Sequence, residues 1–433
     1  MVKSFFIETY GCQMNIADSE LVTGILTSQG YVPADRMESA DAIFVNTCAI
    51  REHAEEKVHS RLGTFRKIKR ERPEVLIGVL GCMAQNLKND LLENKPYVDV
   101  ILGPDSYRNL PEILSREKAR KHVVDTKLSR FEVYDDLFPS RQEGINAWIS
   151  IMRGCDKFCT FCIVPFTRGR ERSRQLESIV DEARQAVAEG FVEVTLLGQN
   201  VNSYHQEGKS FPDLLAAVAQ IPGLQRLRYT SPHPQDINTE LIDVMGAYDT
   251  ICKSIHFPLQ SGSDRILKRM NRSYTRDHFL NLADELRTKL PGIGISTDII
   301  VGFPGETEQD FQDTLAVMEA VRFDSAYTFK YSPRPYTKAG EYDDQIPETV
   351  KSERLDRLIT LQKQHTLERN QSLIGSVLPV LVEKESKRSP DQWAGRTDSN
   401  KWVVFNKENA RPRDLVRVKI SAATGVTLHG KII

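Results

Sequence analysis

The spacing of apolar and polar residues along this chain divides it into three regions. In the first region, apolar runs at residues 4–9, 42–45 and 75–80 are separated by helix-like stretches at 19–29 and 53–69. Strands that alternate with helices usually pair in parallel and are joined by right-handed crossovers. The first region is therefore predicted to be a parallel α/β domain.

The second region, residues 147–335, repeats the alternation over a longer span. Its strand-like runs lie at residues 147–151, 192–197, 224–229, 254–259, 293–301 and 325–331. Helix-like runs at 213–221 and 310–321 fall between them. The pattern predicts a six-stranded parallel sheet covered by helices, in which functional residues lie at the carboxyl ends of the strands.

The third region begins after a long charged helix-like segment at residues 347–372. Short β-branched runs at 377–382, 402–405 and 415–420 are separated by turn residues, a pattern typical of a small antiparallel barrel. The chain is thus predicted to be a multidomain α/β protein. The expected domains are residues 2–118, 141–371 and 374–433.

Composition narrows the class of protein. The chain has 433 residues, of which 40% are apolar, and a net charge of −1. It lacks an apolar run of eighteen residues, and residues 1–7 form a short strand-like run rather than a signal peptide core. We therefore expect a cytoplasmic protein with no membrane partner.

Because the overall charge is close to zero, a nucleic-acid partner must be argued from local patches. Residues 376–433 hold eleven Lys and Arg against six Asp and Glu, which gives a net charge of +5. This charge indicates either a polyanion as partner or simply a solvated basic surface. Basic stretches at 66–70 and 168–174 add to it. The first could be an exposed helix face, whereas the second is expected to hold an RNA phosphate close to the chemistry.

Six of the seven cysteines form two groups of three. Cys155, Cys159 and Cys162 follow the strand at 147–151 in one tight loop. Three thiolates are one too few to close a structural metal site, so one position stays open to a small molecule. Cys252, in an apolar context, is interpreted as a small buried residue.

The spacing of this loop, with Phe161 before its last cysteine, resembles the radical S-adenosylmethionine superfamily. The resemblance implies an incomplete (β/α)6 barrel and a [4Fe-4S] cluster whose open iron binds S-adenosylmethionine. Reductive cleavage of that S-adenosylmethionine would then yield a 5′-deoxyadenosyl radical.

Cys12, Cys48 and Cys82 each follow a predicted strand of the first region. The carboxyl ends of parallel strands meet at one edge of a sheet, so these thiols should converge there. They could hold zinc with a water, or an iron-sulfur cluster with an open iron. Residues 9–15, 46–52 and 81–85 resemble the amino-terminal domain of methylthiotransferases, which implies an auxiliary [4Fe-4S] cluster that carries the sulfur to be delivered.

Polar residues also follow the other strands of the second region, at 198–202, 230–234, 256–262 and 298–306. Each set alone could be turn chemistry, but four sets above one cysteine loop favour a cofactor and substrate pocket. By resemblance, the candidates for contact with S-adenosylmethionine or the target are Gln199, His256, Gln260, Asp298 and Gly302. Taken by itself, a histidine such as His256 is more often a hydrogen-bonded structural residue than a catalyst.

The third region is similar to the TRAM domain, an RNA-binding barrel of tRNA-modifying enzymes, at residues 395–398 and 402–405. Residues 46–52, 167–174 and 197–204 resemble the branch that acts on N6-isopentenyladenosine beside the tRNA anticodon. Residues 331–337 also match the tRNA branches, except that Tyr336 stands where the family usually has glycine.

The resemblance implies that two S-adenosylmethionine molecules and two [4Fe-4S] clusters are used to methylthiolate carbon 2 of the adenine. The implied partners are the tRNA anticodon stem-loop, an external electron donor and a sulfur source. The rival substrates are an aspartate of a ribosomal protein and threonylcarbamoyladenosine in tRNA. A non-catalytic iron-sulfur RNA sensor is a further alternative, although it gives no reason for two three-cysteine sites.

Overall fold

The computed structural model describes residues 3–48, 52–115, 122–141 and 144–433, without the side chains of residues 52–56 and 89. Two of the expected domain limits, residues 2 and 118, lie outside the described residues, as do positions 49–51 of the motif at 46–52.

The first region forms a parallel sheet whose strands are ordered β2-β1-β3-β4-β5-β6. Its strands are β1 (Ser4–Tyr10), β2 (Val32–Pro33), β3 (Ala42–Thr47), β4 (Leu76–Gly81), β5 (Val100–Leu102) and β6 (Val123–Asp125). Its helices are α1 (Gln13–Ser28), α2 (Glu52–Glu71), α3 (Cys82–Asn94) and α4 (Leu110–Ser115). β3 and β4 are buried throughout because apolar cores cover both faces of the sheet. The predicted α/β domain is confirmed.

The second region contains the strands and helices of an open barrel. The strands are β7 (Asn146–Ser150), β8 (Met152–Arg153), β9 (Arg172–Ser173), β10 (Glu193–Leu197), β11 (His205–Gln206), β12 (Lys209–Ser210), β13 (Arg226–Tyr229), β14 (Ser254–His256), β15 (Gly294–Val301) and β16 (Ser325–Lys330). The helices are α5 (Val164–Arg168), α6 (Leu176–Ala188), α7 (Phe211–Ala219), α8 (Thr239–Ala247), α9 (Asp264–Arg269), α10 (Arg276–Lys289), α11 (Glu308–Val321) and α12 (Glu348–Gln371).

Six of these strands build the wall of the barrel. Two parallel three-stranded sheets, β7-β10-β13 and β14-β15-β16, are joined by a parallel bridge between Leu227 and Ile251. Among the described strands, β7 and β16 pair on one side only, so the barrel stays open between them. This is the incomplete (β/α)6 architecture that was expected.

The third region is a closed barrel in the order β17-β18-β19-β21-β20. Its strands are β17 (Val377–Ser386), β18 (Ser389–Thr397), β19 (Trp402–Asn406), β20 (Leu415–Ala423) and β21 (Thr427–Ile432). The pairs are antiparallel except β19 with β21, which run parallel. The small barrel was predicted, whereas β18 and β21 were not.

The turn between β18 and β19 docks on the amino-terminal end of the large barrel. Arg228 donates through Nη2 to the carbonyl oxygen of Thr397 at 2.9 Å, and Arg396 pairs with buried Glu193 at 2.7 Å. The backbone N–H of Lys253 donates to Asp398 Oδ2 at 2.9 Å. The small barrel therefore covers the end opposite to the one where the strands of the large barrel terminate.

None of the helices in the described part of the chain combines the length and the apolar content needed to span a membrane.

Candidate functional site

Cys155, Cys159 and Cys162 lie on the loop between β8 and α5. Gly154 allows the loop to turn, because its φ is +80° and a Cβ there would lie 2.0 Å from the carbonyl oxygen of Arg170. The N–H of Cys155 donates to the Gly169 carbonyl at 3.1 Å, and that of Cys162 donates to the Cys159 carbonyl at 2.9 Å. Backbone bonds thus hold the three cysteines in one compact loop.

The surroundings of this loop suit sulfur ligation. Burial raises the pKa of Cys155 to about 11 and that of Cys162 to about 12. Arg272 donates through Nη1 to the Sγ of Cys159 at 3.3 Å. A metal cluster bound here would displace the thiol protons, and the Arg272 hydrogen bond would stabilise the resulting thiolate.

Arg272 is a site residue that sequence reasoning missed. Its neighbour Asn271 donates to the carbonyl oxygens of Lys157 and Phe158, both at 3.0 Å, and so ties the two segments together. Arg272 contacts a cysteine 113 positions away, and nothing in its local sequence indicates that contact. A cavity of about 500 Å³ lies beside the loop, lined in part by Cys159 and Cys162.

Cys12, Cys48 and Cys82 follow β1, β3 and β4, which are neighbours in the first sheet. The register pairs Tyr10 with Thr47 and Thr47 with Gly81, so the three strands end at the same edge. Gly11 has a φ of +126°, and a Cβ on it would lie 2.7 Å from the Cβ of Cys48. The three thiols predicted to converge are thus brought to one edge of the sheet.

The two outer thiols of this triplet differ in acidity. A side-chain hydrogen bond with Cys48 lowers the pKa of Cys12 below the ordinary thiol range, and the positive charge of Arg168 adds to the effect. Burial raises the pKa of Cys82 despite the same arginine. Cys12 is half-buried, whereas Cys82 is buried.

This difference predicts the order of alkylation in cluster-free protein. At pH 7 we expect iodoacetamide to modify Cys12 faster than Cys82 by roughly tenfold or more, because the thiolate is the nucleophile. Cys252, whose burial raises its pKa to about 12, is the internal control and should react slowest. Peptide mass spectrometry at successive times measures all three rates, and equal rates for Cys12 and Cys82 would contradict the prediction.

A buried ionic network joins the first domain to the large barrel beside Cys82. Asp18 on α1 accepts from Arg153 Nη2 at 2.7 Å through Oδ1 and from Arg168 Nη2 at 2.8 Å through Oδ2. The Nε of Arg168 donates to the Sγ of Cys82 at 3.2 Å. Asp18 therefore fixes two arginines of the large barrel against the first domain.

The arginines at 168–174 correct the expectation of a phosphate-binding stretch. Arg168, Arg172 and Arg174 are buried and paired with Asp18, Asp105 and Glu182 respectively. They are therefore unavailable to an RNA backbone, and the prediction was wrong for these three. Arg170 is exposed, although it pairs with Asp156 at 2.6 Å.

Two of the five predicted pocket residues are in direct contact. His256, at the end of β14, places Nε2 3.1 Å from Asp298 Oδ2 and Nδ1 3.0 Å from Ser296 Oγ. The N–H of Gln260 donates to the Asp298 carbonyl at 2.8 Å, so Gln260 joins them through its backbone. These residues form one polar group on the second half of the barrel wall.

The other two predicted pocket residues follow strands in different halves of the barrel wall. Gln199 follows β10, and its Oε1 is buried without a hydrogen-bond partner in the described part of the chain. Gly302 follows β15, and its N–H donates to Glu306 Oε1 at 2.8 Å. The unpartnered Gln199 oxygen is able to accept a hydrogen bond from a bound molecule.

Exposed aromatic rings line the open side of the barrel. Tyr327 lies opposite Asp298 in the β-sheet register, and its ring contacts the ring of His256 with centroids 5.8 Å apart. Tyr327 is 59% exposed and Phe329, two residues further along the same face of β16, is 44% exposed. Such large exposed apolar groups beside a polar pocket indicate a binding surface.

The backbone conformation at Tyr336 accounts for the glycine that usually stands here in the family that residues 331–337 resemble. Its φ is +66°, a backbone conformation that glycine adopts without steric cost and tyrosine does not. The turn is therefore kept, and the side chain is exposed beside the cavity at the cysteine loop.

Each triplet supplies three thiols, the donor number of a cluster that keeps one iron open. Within the residues that the structure describes, no group of three or more His, Cys, Asp or Glu side chains is arranged to hold one metal ion. Each triplet is accompanied by an arginine that hydrogen-bonds one sulfur, as expected for a site that carries negative charge.

Both triplets lie at the same end of the large barrel. Met14 and Ala17 of α1 pack on Leu197, the last residue of β10, with Cys12 and Trp148 against the same cluster. The first domain thus sits over the carboxyl ends of the barrel strands. The two triplets therefore lie on the same side of the large barrel.

Comparison with protein families divides the chain in the same way. Residues 4–103 match the uncharacterized protein family UPF0004, residues 149–318 match the radical SAM superfamily, and residues 371–433 match the TRAM domain.

Comparison with characterised proteins finds close relatives over the full length. A protein of Bacteroides thetaiotaomicron is 47% identical over 99% of this chain and 96% of its own length. One of Carboxydothermus hydrogenoformans is 47% identical over 100% of this chain and 99% of its own. Both carry the name tRNA-2-methylthio-N(6)-dimethylallyladenosine synthase.

Solved structures resemble the fold at low sequence identity. The radical S-adenosylmethionine methyltransferase TsrM of Kitasatospora setae has a TM-score of 0.61 and 16% identity, covering 78% of this chain and 77% of its own. The radical enzyme OxsB has a TM-score of 0.53 and 11% identity, covering 82% of this chain and 56% of its own. At these identities the likeness concerns the fold alone.

Proposed function

This chain belongs to the family of tRNA-2-methylthio-N(6)-dimethylallyladenosine synthases, and on that premise we propose that it methylthiolates carbon 2 of N6-isopentenyladenosine beside the tRNA anticodon. The enzyme is a radical S-adenosylmethionine methylthiotransferase with a TRAM domain. This is the branch expected from residues 46–52, 167–174 and 197–204. The rival substrates, a ribosomal-protein aspartate and threonylcarbamoyladenosine, are not those named for these relatives.

The finer proposal concerns the cofactors. Cys155, Cys159 and Cys162 hold a [4Fe-4S] cluster that binds S-adenosylmethionine, and the second triplet holds an auxiliary [4Fe-4S] cluster for the sulfur. These groups supply reductive cleavage of S-adenosylmethionine and a site for a methylated sulfur. The observation that carries the proposal is that both triplets lie at the same end of one barrel, linked by Asp18 and Arg168.

The chain's own residues position the reactants. The unpartnered Oε1 of Gln199 accepts a hydrogen bond from bound S-adenosylmethionine, and Gly302 lets the backbone turn at the end of β15. His256 and Asp298 form a hydrogen-bonded pair on the wall that faces the target base. We retain residues 2–118, 141–371 and 374–433 as the proposed domains of this enzyme.

The target adenine enters through the open side of the barrel. A single-stranded base can be splayed from its stack and held on an aromatic ring. Tyr327 and Phe329 present such rings next to His256. The basic TRAM barrel binds the phosphates of the anticodon stem, and the reaction further uses an external electron donor and a sulfur source in the cytoplasm.

The stacking role of Tyr327 gives a measurable expectation. Tyr327→Ala should lower kcat/KM for an anticodon stem-loop by roughly 5- to 150-fold, the effect of losing about 1–3 kcal/mol of base stacking. Tyr327→Phe keeps the ring and is the matched control, so it should stay close to the parent enzyme. Steady-state rates with both variants test this, and a Phe variant as impaired as the Ala variant would assign the role to the hydroxyl group instead.

The function itself is tested by anaerobic reconstitution with iron and sulfide. The protein is then incubated with S-adenosylmethionine, dithionite and an isopentenylated anticodon stem-loop, and the nucleosides are analysed by mass spectrometry. A methylthio mass increment on the modified adenosine supports the substrate and the reaction together. If 5′-deoxyadenosine forms while the nucleoside is unchanged, the substrate assignment is wrong.

A further inference from the structure

Arg168 lies between the two cysteine triplets. It is the last residue of α5, six positions after Cys162, and its side chain is only 4% exposed. From there its Nε reaches the Sγ of Cys82 at 3.2 Å. A residue of the helix that follows Cys162 thus contacts a cysteine of the other triplet.

The orientation of this guanidinium is fixed by Asp18. Oδ2 of Asp18 accepts from Arg168 Nη2 at 2.8 Å, and Oδ1 is occupied by Arg153 at 2.7 Å. Because Asp18 Oδ2 holds Nη2, the Arg168 fork is kept with Nε towards the thiol. Its Nη1 is buried and has no hydrogen-bond partner among the residues that the structure describes, so a further donor remains at the site.

A donor and a positive charge next to a ligand sulfur have known consequences. They stabilise the more negative, reduced form of an iron-sulfur cluster and so raise its reduction potential. They also stabilise the thiolate that binds iron. Outer residues of this kind influence metal affinity without touching the metal.

We propose that Arg168 is a positioning residue for the auxiliary cluster. Through its hydrogen bond to Cys82, Arg168 raises the reduction potential of the cluster and slows the loss of iron from it. The proposal rests on the proposed function, in which Cys12, Cys48 and Cys82 hold a [4Fe-4S] cluster. It makes Arg168 the physical link between the two cluster sites, since the same short helix begins two residues after Cys162.

A purely structural role for Arg168 is the competing explanation, and Arg153 separates the two. Arg153 binds the same carboxylate at a similar distance and is equally buried, with 3% exposure. Its described hydrogen bonds go to Asp18 and to the Pro104 carbonyl rather than to a cysteine sulfur. Loss of either arginine should therefore destabilise the domain contact, while only loss of Arg168 should alter the cluster.

The test uses the full-length chain in which Cys155, Cys159 and Cys162 are replaced by Ala, so that one cluster site remains. Reduction potentials are measured by titration monitored by electron paramagnetic resonance, and iron loss by transfer to a chelator. We expect Arg168→Gln to lower the potential and to release iron about tenfold faster. Arg168→Lys, which keeps the charge, should fall between it and the parent.

The control is Arg153→Gln, which should leave the potential and the iron-release rate unchanged. Equal effects of Arg168→Gln and Arg153→Gln would overturn the inference, as would an unchanged potential in Arg168→Gln. If Arg168→Gln does not fold, the reduction potential of Arg168→Lys decides: a lower potential than that of the parent supports the inference, and an unchanged potential overturns it. A parent chain that binds no cluster at this triplet would instead refute the two-cluster function.

Discussion

Cys159→Ala should reduce methylthio transfer to the uncatalysed background while tRNA affinity stays within about twofold of the parent. The thiol is one of three that the proposed radical cluster requires, and two thiolates do not hold such a cluster. RNA affinity comes mainly from phosphate contacts. The small barrel, which carries the basic residues of 376–433, docks on the end of the large barrel opposite to Cys159. Chemistry and binding should therefore separate in this variant.

Two assays measure this separation. Nucleoside mass spectrometry reports turnover, and a filter-binding or anisotropy titration with the anticodon stem-loop reports affinity. Cys252→Ala is the matched control because Cys252 is a buried cysteine outside both triplets, and it should keep both activities. A Cys159→Ala enzyme that loses RNA binding as completely as turnover would undermine this division between the domains.

The convergence of three cysteines in the first domain could be predicted from sequence because it depends on a simple geometric rule. Cys12, Cys48 and Cys82 each follow an apolar run, and parallel strands end at a common edge. Only the pattern of strands and helices was needed to predict that these cysteines converge. His256 and Asp298 were expected in one pocket by resemblance, and the structure brings them into contact although Asp298 lies inside β15 rather than at its end.

Contacts between domains could not be predicted in the same way. The arginine-rich stretch at 168–174 has the composition of an RNA-binding segment, and sequence alone gives no sign that Asp18 and Asp105 lie opposite it. Charge clusters in sequence do not distinguish a solvated face from a buried ion-pair network. The partners of Arg168 lie 86 and 150 positions away in the chain.

Strands with few β-branched residues were also missed. β18 contains Pro390, Asp391 and Gly395, which are depleted in strands, yet it pairs with β17 and β19 because the barrel must close. Gly395 is suited to this position because a Cβ there would lie 2.2 Å from the carbonyl oxygen of Leu381. Tertiary closure therefore outweighs local propensity in this segment.

Asp18→Asn should destabilise the protein by about 3–5 kcal/mol, the cost of leaving a buried charge without its partner. The change keeps the volume of the side chain but removes the charge that Arg153 and Arg168 share. For a cooperative unit of 150–250 residues this corresponds to a fall of roughly 6–20 °C in Tm. Thermal unfolding followed by circular dichroism at one pH and salt concentration measures it.

The matched control for this prediction is Asp156→Asn, which breaks the exposed pair of Asp156 with Arg170. Surface ion pairs contribute only about 0–1 kcal/mol, so its Tm should change little. The contrast isolates burial, because each change converts one arginine-paired carboxylate into an amide. Equal Tm values for Asp18→Asn and the parent would mean that the two buried arginines do not need this carboxylate, and that the domains are held together by apolar contacts such as those of Met14 and Leu197.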